Sequence, residues 1–147
     1  MFVVFIHRLV VPVLAIAKAM GKISMTKGEK KNINKLLREY IVKRDGEKCL
    51  RCGRTDTLAM SHIYPKGRHR SMEYDVDNIK FLCFSCHLCW WHKSPIEAWE
   101  WLRETLPKKR LERLKLMANT SHKVPEYKLL KLWLEAEIKK MKICTRN

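Results

Sequence analysis

The sequence lacks a long apolar run, an internal repeat and a low-complexity segment. Residues 9–17 form its longest uncharged apolar stretch, and this is far below the roughly 20 residues that a membrane-spanning helix requires. The absence of a repeat argues against solenoid and propeller folds. At 147 residues the chain is long enough for one domain with extensions and too short for two ordinary domains. We therefore expect a single core and no stable membrane association.

Acidic residues are also scarce. The chain has 15 Asp and Glu against 31 Lys and Arg, which gives a formal charge of +16 and an isoelectric point near 9.8. A polyanionic partner is the first expectation, because cations that neutralise phosphates release condensed counterions. Charge alone does not separate DNA from RNA or from an anionic membrane. A merely solvated basic surface is the plainer alternative.

The apolar segment of residues 1–24 allows two interpretations. A signal peptide is one, because Ala15 and Ala17 resemble a cleavage site, although the positive charge of Arg8 follows apolar residues instead of preceding them. The other is that Met25 is the true start of the protein. No fold prediction is based on this segment.

The next part of the chain predicts a helix and two strands. Apolar residues at helical spacing predict a helix in residues 32–44, and we assign residues 25–44 as an N-terminal helix. Residues 58–64 and 79–82 have the composition of short strands, with a basic loop between them. A helix after the second strand would complete a ββα unit.

A second helix should begin at Ser94. Ser94 has the N-cap position, Pro95 the first helical position, and Glu97 the position from which a side chain reaches back to the cap. Three apolar residues then recur at helical spacing and predict a core-facing side: Ile96, Trp99 and Leu102.

Four of the six cysteines form two Cys-x-x-Cys pairs, CLRC at residues 49–52 and CFSC at residues 83–86. Each pair can offer two thiolates to one side of a tetrahedral zinc ion, and such an ion would contribute to folding. Disulfides are the alternative, but this spacing favours metal and a reducing, cytoplasmic setting. Cys89 and Cys144 lie outside the pattern.

Other residues occur in order around these pairs. The elements read CLRC, SHIYP, DNIKFLC and FSCH, and in this order they resemble the HNH family of nucleases over about residues 45–103. The resemblance implies an α+β fold: a small zinc-stapled ββα-metal core at residues 45–106, with flanking helices and a C-terminal helical pair. The string from Ser61 to His87 is most similar to phage-type HNH proteins related to the NinG recombination nucleases.

The family resemblance implies roles for three residues. His62 would be the general base, Asn78 would orient it and brace the loop, and His87 would bind a catalytic divalent cation, Mg²⁺ or Mn²⁺. Many relatives carry Asp or His at the position of Ser61 as a second ligand, and a neutral hydroxyl is a poor substitute.

A replacement for that second ligand has to come from elsewhere in the chain. His92 is the first candidate, although five residues of a straight α-helix turn through about 500° and would separate it from His87. Asp75 and Asp77 are further candidates.

The resemblance makes DNA the expected polyanion. Lys66, Arg68 and Arg70, together with His69, would bind phosphates beside the base. Residues 107–147 form a basic helical tail with 12 basic and 4 acidic residues, a net charge of +8. This tail is expected to add DNA affinity, or to form a homodimer through Leu130, Trp133 and Met141.

Two functions remain open at this point. The first is a metal-dependent DNA endonuclease, which the NinG-like string extends to branched recombination intermediates and, if phage-encoded, to the host cytoplasm. The second is a non-catalytic zinc module that binds nucleic acid, with His62 and His87 structural only. Ser61 favours the second function, and the order of the motifs favours the first.

Overall fold

The computed structural model describes residues 25–120 and 124–144. Residues 1–24 lie outside this part, so neither interpretation of that segment is addressed. The main elements, in chain order, are α1 (Lys27–Asp45), β1 (Leu58–His62), β2 (Ile79–Cys83), a π-helical segment (Ser85–Trp91), α2 (Pro95–Thr105), α3 (Lys108–Asn119) and α4 (Tyr127–Cys144). The predicted α+β class, with one strand pair between helices, is confirmed. None of the helices in this part combines the length and apolar character needed to cross a bilayer.

Helix α1 begins earlier than its apolar pattern predicts, because its first turn is capped. The Thr26 hydroxyl accepts from the Glu29 N–H at 3.2 Å, and the Glu29 carboxylate accepts from the Thr26 N–H at 2.8 Å. This reciprocal pair satisfies two backbone donors that a helix start leaves free. Gly46, at φ +82°, ends the helix. The buried face carries Ile33, Leu37 and Ile41.

The two strands form an antiparallel pair in which Leu58 lies opposite Cys83 and His62 opposite Ile79. The second strand is buried along its whole length, whereas the first is only partly covered. Strand β1 is shorter than predicted. After His62 the chain leaves the ladder and bonds to Asn78.

Helix α4 belongs to the main core. Leu130, Leu134 and Ile138 are buried, the first two in the same cluster as the apolar face of α1. The Trp133 and Tyr40 rings stack with their centroids 6.0 Å apart. Leu130 therefore cannot belong to a dimer face as predicted, because it packs within the chain. Helix α4 of the predicted tail therefore packs against α1.

Helix α3 is tied to the turn before β2. The Arg110 guanidinium donates to the carbonyls of Asp77 and Ile79 at 2.9 and 3.0 Å. Arg113 holds both carboxylate oxygens of Asp75 at 3.1 and 3.0 Å, and one of Asp77 at 3.0 Å. Bidentate guanidinium–carboxylate pairs fix geometry as well as charge. Two of the basic residues of α3 therefore position this turn, which we call the hairpin turn.

Helix α2 starts where predicted but without the predicted cap. The Ser94 side chain makes no capping hydrogen bond. Glu97 does not reach back to it, and instead accepts from the Trp90 indole N–H at 2.9 Å and lies 3.6 Å from the Arg51 guanidinium. The capping-box prediction is wrong, because these two partners, which lie outside the helix, engage the carboxylate.

The predicted core face of α2 is wrong as well. Leu102 is fully buried together with Ala98, but Ile96 is 77% exposed and Trp99 is 38% exposed. Two of the three apolar residues that were predicted to face the core therefore lie at the surface of the protein.

The hairpin buries two polar side chains that face each other. Ser61 and Lys80 are opposite in the register, and neither the Ser61 Oγ nor the Lys80 Nζ has a hydrogen-bond partner in the described part of the chain. The Nζ lies 3.3 Å from the centroid of the Trp91 ring, a cation–π geometry. Burial holds the pKa of Lys80 well below its ordinary range, and the nearby Arg110 charge adds to this effect.

Lys80→Met is expected to raise the free energy of unfolding at pH 7 by about 1–3 kcal/mol, because an apolar side chain of similar length replaces a buried, unpaired amine. The folded pKa of Lys80 lies below the unfolded value of about 10.4. Between those two values the unfolded state binds more protons, so the parent gains stability as pH rises.

Urea denaturation of parent and variant at pH 7 and pH 9.5 measures this difference. The advantage of the Met variant should shrink at the higher pH. A variant that is less stable than the parent at both pH values would contradict the assignment.

Candidate active site

The four paired cysteines converge on one point. Their Sγ atoms all lie within 4.8 Å of one another, and the Sγ atoms of Cys52 and Cys83 are 3.7 Å apart. A Zn–S bond of about 2.3 Å in a tetrahedron gives a sulfur–sulfur edge of about 3.8 Å. The donor set and spacing therefore fit a structural zinc ion. No other cluster of three or more possible metal ligands occurs in residues 25–120 and 124–144.

The first cysteine pair is built on a tight turn. Gly53 has φ +77°, a conformation that favours glycine, and its N–H donates to the Cys49 carbonyl at 2.9 Å. The Leu50 N–H donates to the Phe81 carbonyl at 2.9 Å. The turn is thereby fixed to β2, whose last residue is Cys83.

The surroundings of the thiols shift their pKa values in opposite directions. Burial raises the pKa of Cys49, but backbone N–H groups, those of Cys52 and Cys83 foremost, outweigh burial and bring this pKa to about 7. Burial and the neighbouring thiols raise the pKa of Cys86 to about 12. A cation that binds here must displace a proton from Cys86. The affinity of the site for the cation should therefore decrease as the pH is lowered.

His62 is the last residue of β1, and its ring is half-buried. Its Nε2 lies 2.9 Å from the backbone carbonyl of Glu73. A carbonyl oxygen can only accept, so Nε2 carries the proton and Nδ1 holds the free lone pair. Burial lowers the pKa of His62, and the charge of Lys66 adds to this, whereas the Glu73 carbonyl opposes it. The ring is therefore neutral at pH 7, with one basic nitrogen.

The fully buried Asn78 side chain holds the loop around His62. Its Oδ1 accepts from the Tyr64 N–H at 2.7 Å, and its Nδ2 donates to the carbonyls of Tyr64 and Met72, both at 3.0 Å. The loop also contains the Glu73 carbonyl that contacts His62. Asn78 thus makes three hydrogen bonds that fix both ends of the segment between the base and its partner.

Two guanidinium groups hold the backbone on either side of Asn78. Arg44 of α1 donates to the carbonyls of Val76 and Ile79 at 2.7 and 2.9 Å, and Arg110 approaches the same turn from α3. Sequence reasoning assigned Arg110 to a basic tail and gave Arg44 no role. Their contacts are to backbone atoms far away in sequence, and no local signal reports such contacts.

His87 and His92 lie together, contrary to the straight-helix expectation. Their Nε2 atoms are 3.1 Å apart, and their ring centroids are 4.8 Å apart. The reason is the π-helical segment Ser85–Trp91, in which residues five apart lie nearly above each other. Two nitrogens about 2.1 Å from one ion, at a right angle, would be about 3.0 Å apart. The pair therefore fits two ligands of one cation.

The electrostatic surroundings of His87 favour its neutral, ligating form. Burial lowers its pKa, and repulsion from His92, Lys80 and His62 in their protonated forms lowers it further.

The other predicted oxygen ligands lie elsewhere. Asp75 and Asp77 are paired with Arg113 on the α3 side of the hairpin turn, so they do not join the histidine pair. Ser61 is buried opposite Lys80 and adds no anionic oxygen.

The loop after β1 presents positive charge beside His62. Lys66, Arg68 and Arg70 are all exposed, on a turn in which the Pro65 carbonyl accepts the Arg68 N–H at 3.1 Å. Lys66 is close enough to lower the pKa of His62. An open cleft separates this loop from the last turn of α3.

Cys52→Ser should release the zinc ion and abolish the cooperative melting transition, because losing one thiolate opens a closed site whose metal binding is coupled to folding. Metal analysis and circular dichroism measure both effects. Cys89→Ser is the matched control, since Cys89 is exposed and outside the cluster. A zinc-free Cys52→Ser protein that melts like the parent would show that the cluster is not structural.

Comparison with known proteins adds one match. No curated protein and no solved structure matches this chain. The family model described as HNH endonuclease matches residues 49–92, a stretch that contains both cysteine pairs and His62, Asn78, His87 and His92. Residues 49–92 are therefore similar to the HNH endonuclease family, and they contain four cysteines positioned to bind a metal.

Proposed function

We propose that the protein is a metal-dependent endonuclease that hydrolyses DNA phosphodiester bonds. The observation that carries this proposal is the state of His62, a neutral ring whose Nε2 donates to the Glu73 carbonyl and whose Nδ1 is free to accept a proton. The similarity of residues 49–92 to the HNH endonuclease family supports a nuclease function.

In this proposal, His62 Nδ1 accepts a proton from the attacking water. Nε2 keeps its proton and its hydrogen bond, so the Glu73 carbonyl stabilises the imidazolium that forms. Lys66, Arg68 and Arg70 hold phosphates that flank the scissile bond. When bound, a divalent cation would place positive charge against the phosphate oxygens, where negative charge builds as the bond breaks.

His87 and His92 are the proposed ligands of that cation. Two imidazole nitrogens suit first-row transition metals, whereas Mg²⁺ prefers oxygen ligands. Of the two ions expected from the sequence, this donor set therefore favours Mn²⁺ over Mg²⁺. The remaining coordination positions would be filled by water and phosphate oxygens.

General DNA affinity is assigned to the exposed lysines of α3. Lys108, Lys109 and Lys115 are exposed, whereas Arg110 and Arg113 on the same helix are engaged by the hairpin turn. The NinG-like string supports branched recombination DNA and a phage origin as narrower proposals. Four thiols held ready for metal favour a reducing compartment, such as the cytoplasm.

A non-catalytic zinc module is the second candidate. It is favoured by Ser61, which leaves the histidine pair without a third protein ligand from β1. This candidate predicts DNA binding without cleavage in any divalent cation, and the nicking assay below distinguishes the two.

His62→Ala is expected to lower the rate of nicking of supercoiled plasmid about 100- to 10,000-fold, because a general base acts only in the transition state. DNA affinity and zinc content should stay unchanged. The parent rate should fall as pH drops below about 6.5, where protonation removes the Nδ1 lone pair. Since burial lowers the pKa of His62, the midpoint should lie on the acid side of that value. Equal nicking by variant and parent would remove His62 from this role.

His92→Ala and His87→Ala should each raise the Mn²⁺ concentration for half-maximal nicking at least about tenfold, because each removes one of two proposed ligands. Cys89→Ser, on the same π-helical segment, is the control and should leave the Mn²⁺ dependence unchanged. If both histidine variants follow the parent's metal titration, the cation is held elsewhere.

A further inference from the structure

Three aromatic rings lie in contact beside the basic loop. The Tyr64 ring is 5.2 Å from the His69 ring and 6.2 Å from the Trp99 ring, both in edge-to-face arrangements. The backbone of Tyr64 is fixed, because both its N–H and its carbonyl form hydrogen bonds with the Asn78 side chain. The ring cluster of His69, Tyr64 and Trp99 is thus attached to the same brace that holds the loop around His62.

The outer side of this cluster is apolar and open. Trp99 is 38% exposed, and Ile96, one turn earlier on α2, is 77% exposed. Helical spacing places Arg103, which is also exposed, four residues beyond Trp99 on the same face. The exposed parts of Trp99 and Ile96 form an apolar surface beyond the contact of Trp99 with Tyr64, and an apolar patch with a polar rim is typical of a binding surface.

The charge around the cluster indicates what this surface binds. Arg68 and Arg70 flank His69 in the loop, and Arg103 adds a cation from α2. Glu100, four residues beyond Ile96, is an exposed carboxylate on this side of α2, so the three arginines leave an excess of positive charge. An exposed aromatic side chain with such an excess of cations around it is typical of sites for single-stranded nucleic acid, because phosphates follow the charge and bases stack on the ring. In a duplex, the neighbouring base pairs cover the faces of each base, so only an unpaired base can use such a ring.

We propose that Trp99, supported by Tyr64 and flanked by Ile96, forms a stacking subsite for an unpaired base next to the scissile phosphate. Tyr64 follows His62 by two residues, and the Asn78 side chain holds the loop that contacts both, so the base is placed in a nucleotide close to the cleaved bond. The substrate class is DNA that contains single-stranded nucleotides, such as a gap. This inference rests on the proposed function for the position of the scissile phosphate.

The test measures binding by the zinc-loaded full chain without added divalent cation, so that no cleavage occurs. The two probes are fluorescent duplexes of equal length, one fully paired and one with a short single-stranded gap. The variants are Trp99→Leu, which keeps an apolar side chain but removes the ring, and Trp99→Phe, which keeps a ring. Trp133→Leu is the matched control, because Trp133 is 39% exposed and stacks on Tyr40 at 6.0 Å in the α1–α4 core.

Trp99→Leu should weaken binding of the gapped duplex about 5- to 150-fold, the range for loss of one stacked base, and leave binding of the paired duplex unchanged. Trp99→Phe should keep most of the affinity for the gapped duplex, and Trp133→Leu should bind both probes like the parent. The inference is overturned if the parent does not prefer the gapped probe. It is also overturned if Trp99→Leu keeps the parent's affinity for the gapped probe, or if this variant binds both probes more weakly by the same factor.

These outcomes are independent of the nuclease proposal. A protein that shows the expected binding pattern but never nicks DNA would refute the nuclease function and retain the stacking subsite. A protein that nicks DNA but binds both probes equally would support the nuclease function and refute the stacking subsite.

Discussion

The convergence of four thiols is the constraint on which the rest of this domain depends. The sheet has only two strands, and an isolated pair of that size is marginal in water. The cysteine cluster joins residues 31 positions apart and fixes the turn before β1 to the end of β2. The π-helical segment starts inside the second cysteine pair, so the cluster also determines where His87 projects. A zinc ion here would contribute folding energy and position the site at the same time.

The interior beside this cluster contains polar groups in two different states. Asn78 is buried with three hydrogen bonds, and guanidinium groups from α1 and α3 hold the carbonyls around it. Lys80 and Ser61, on the facing strands, are buried without hydrogen bonds in the part of the chain described. Since a buried polar group costs free energy unless it is paired, the satisfied network rigidifies the loop that holds His62, and the unsatisfied pair reduces stability.

The positions of several residues of the candidate site could be predicted from the sequence, but their arrangement could only partly be predicted. The cysteine pairs, His62 and Asn78 occur at motif spacings that report local turns and strands directly. The contact between His87 and His92 depends on a π-helical turn, and an argument based on 3.6 residues per turn places them apart. Arg110, Glu97 and Leu130 make contacts with residues distant in sequence, so local pattern misassigned all three. Glu73 contacts His62 through its backbone carbonyl, and a motif made of side chains cannot predict a backbone contact.

The proposed chemistry requires that the fold hold His62 neutral at pH 7, with its lone pair on Nδ1. Nitrogen-15 NMR of the zinc-loaded protein, with long-range couplings between the ring nitrogens and carbons of His62, reads the tautomer directly at pH 7. We expect a protonated Nε2, a bare Nδ1 and a pKa of His62 below about 6.5. A ring that is protonated on Nδ1, or that remains an imidazolium at pH 7, would contradict it.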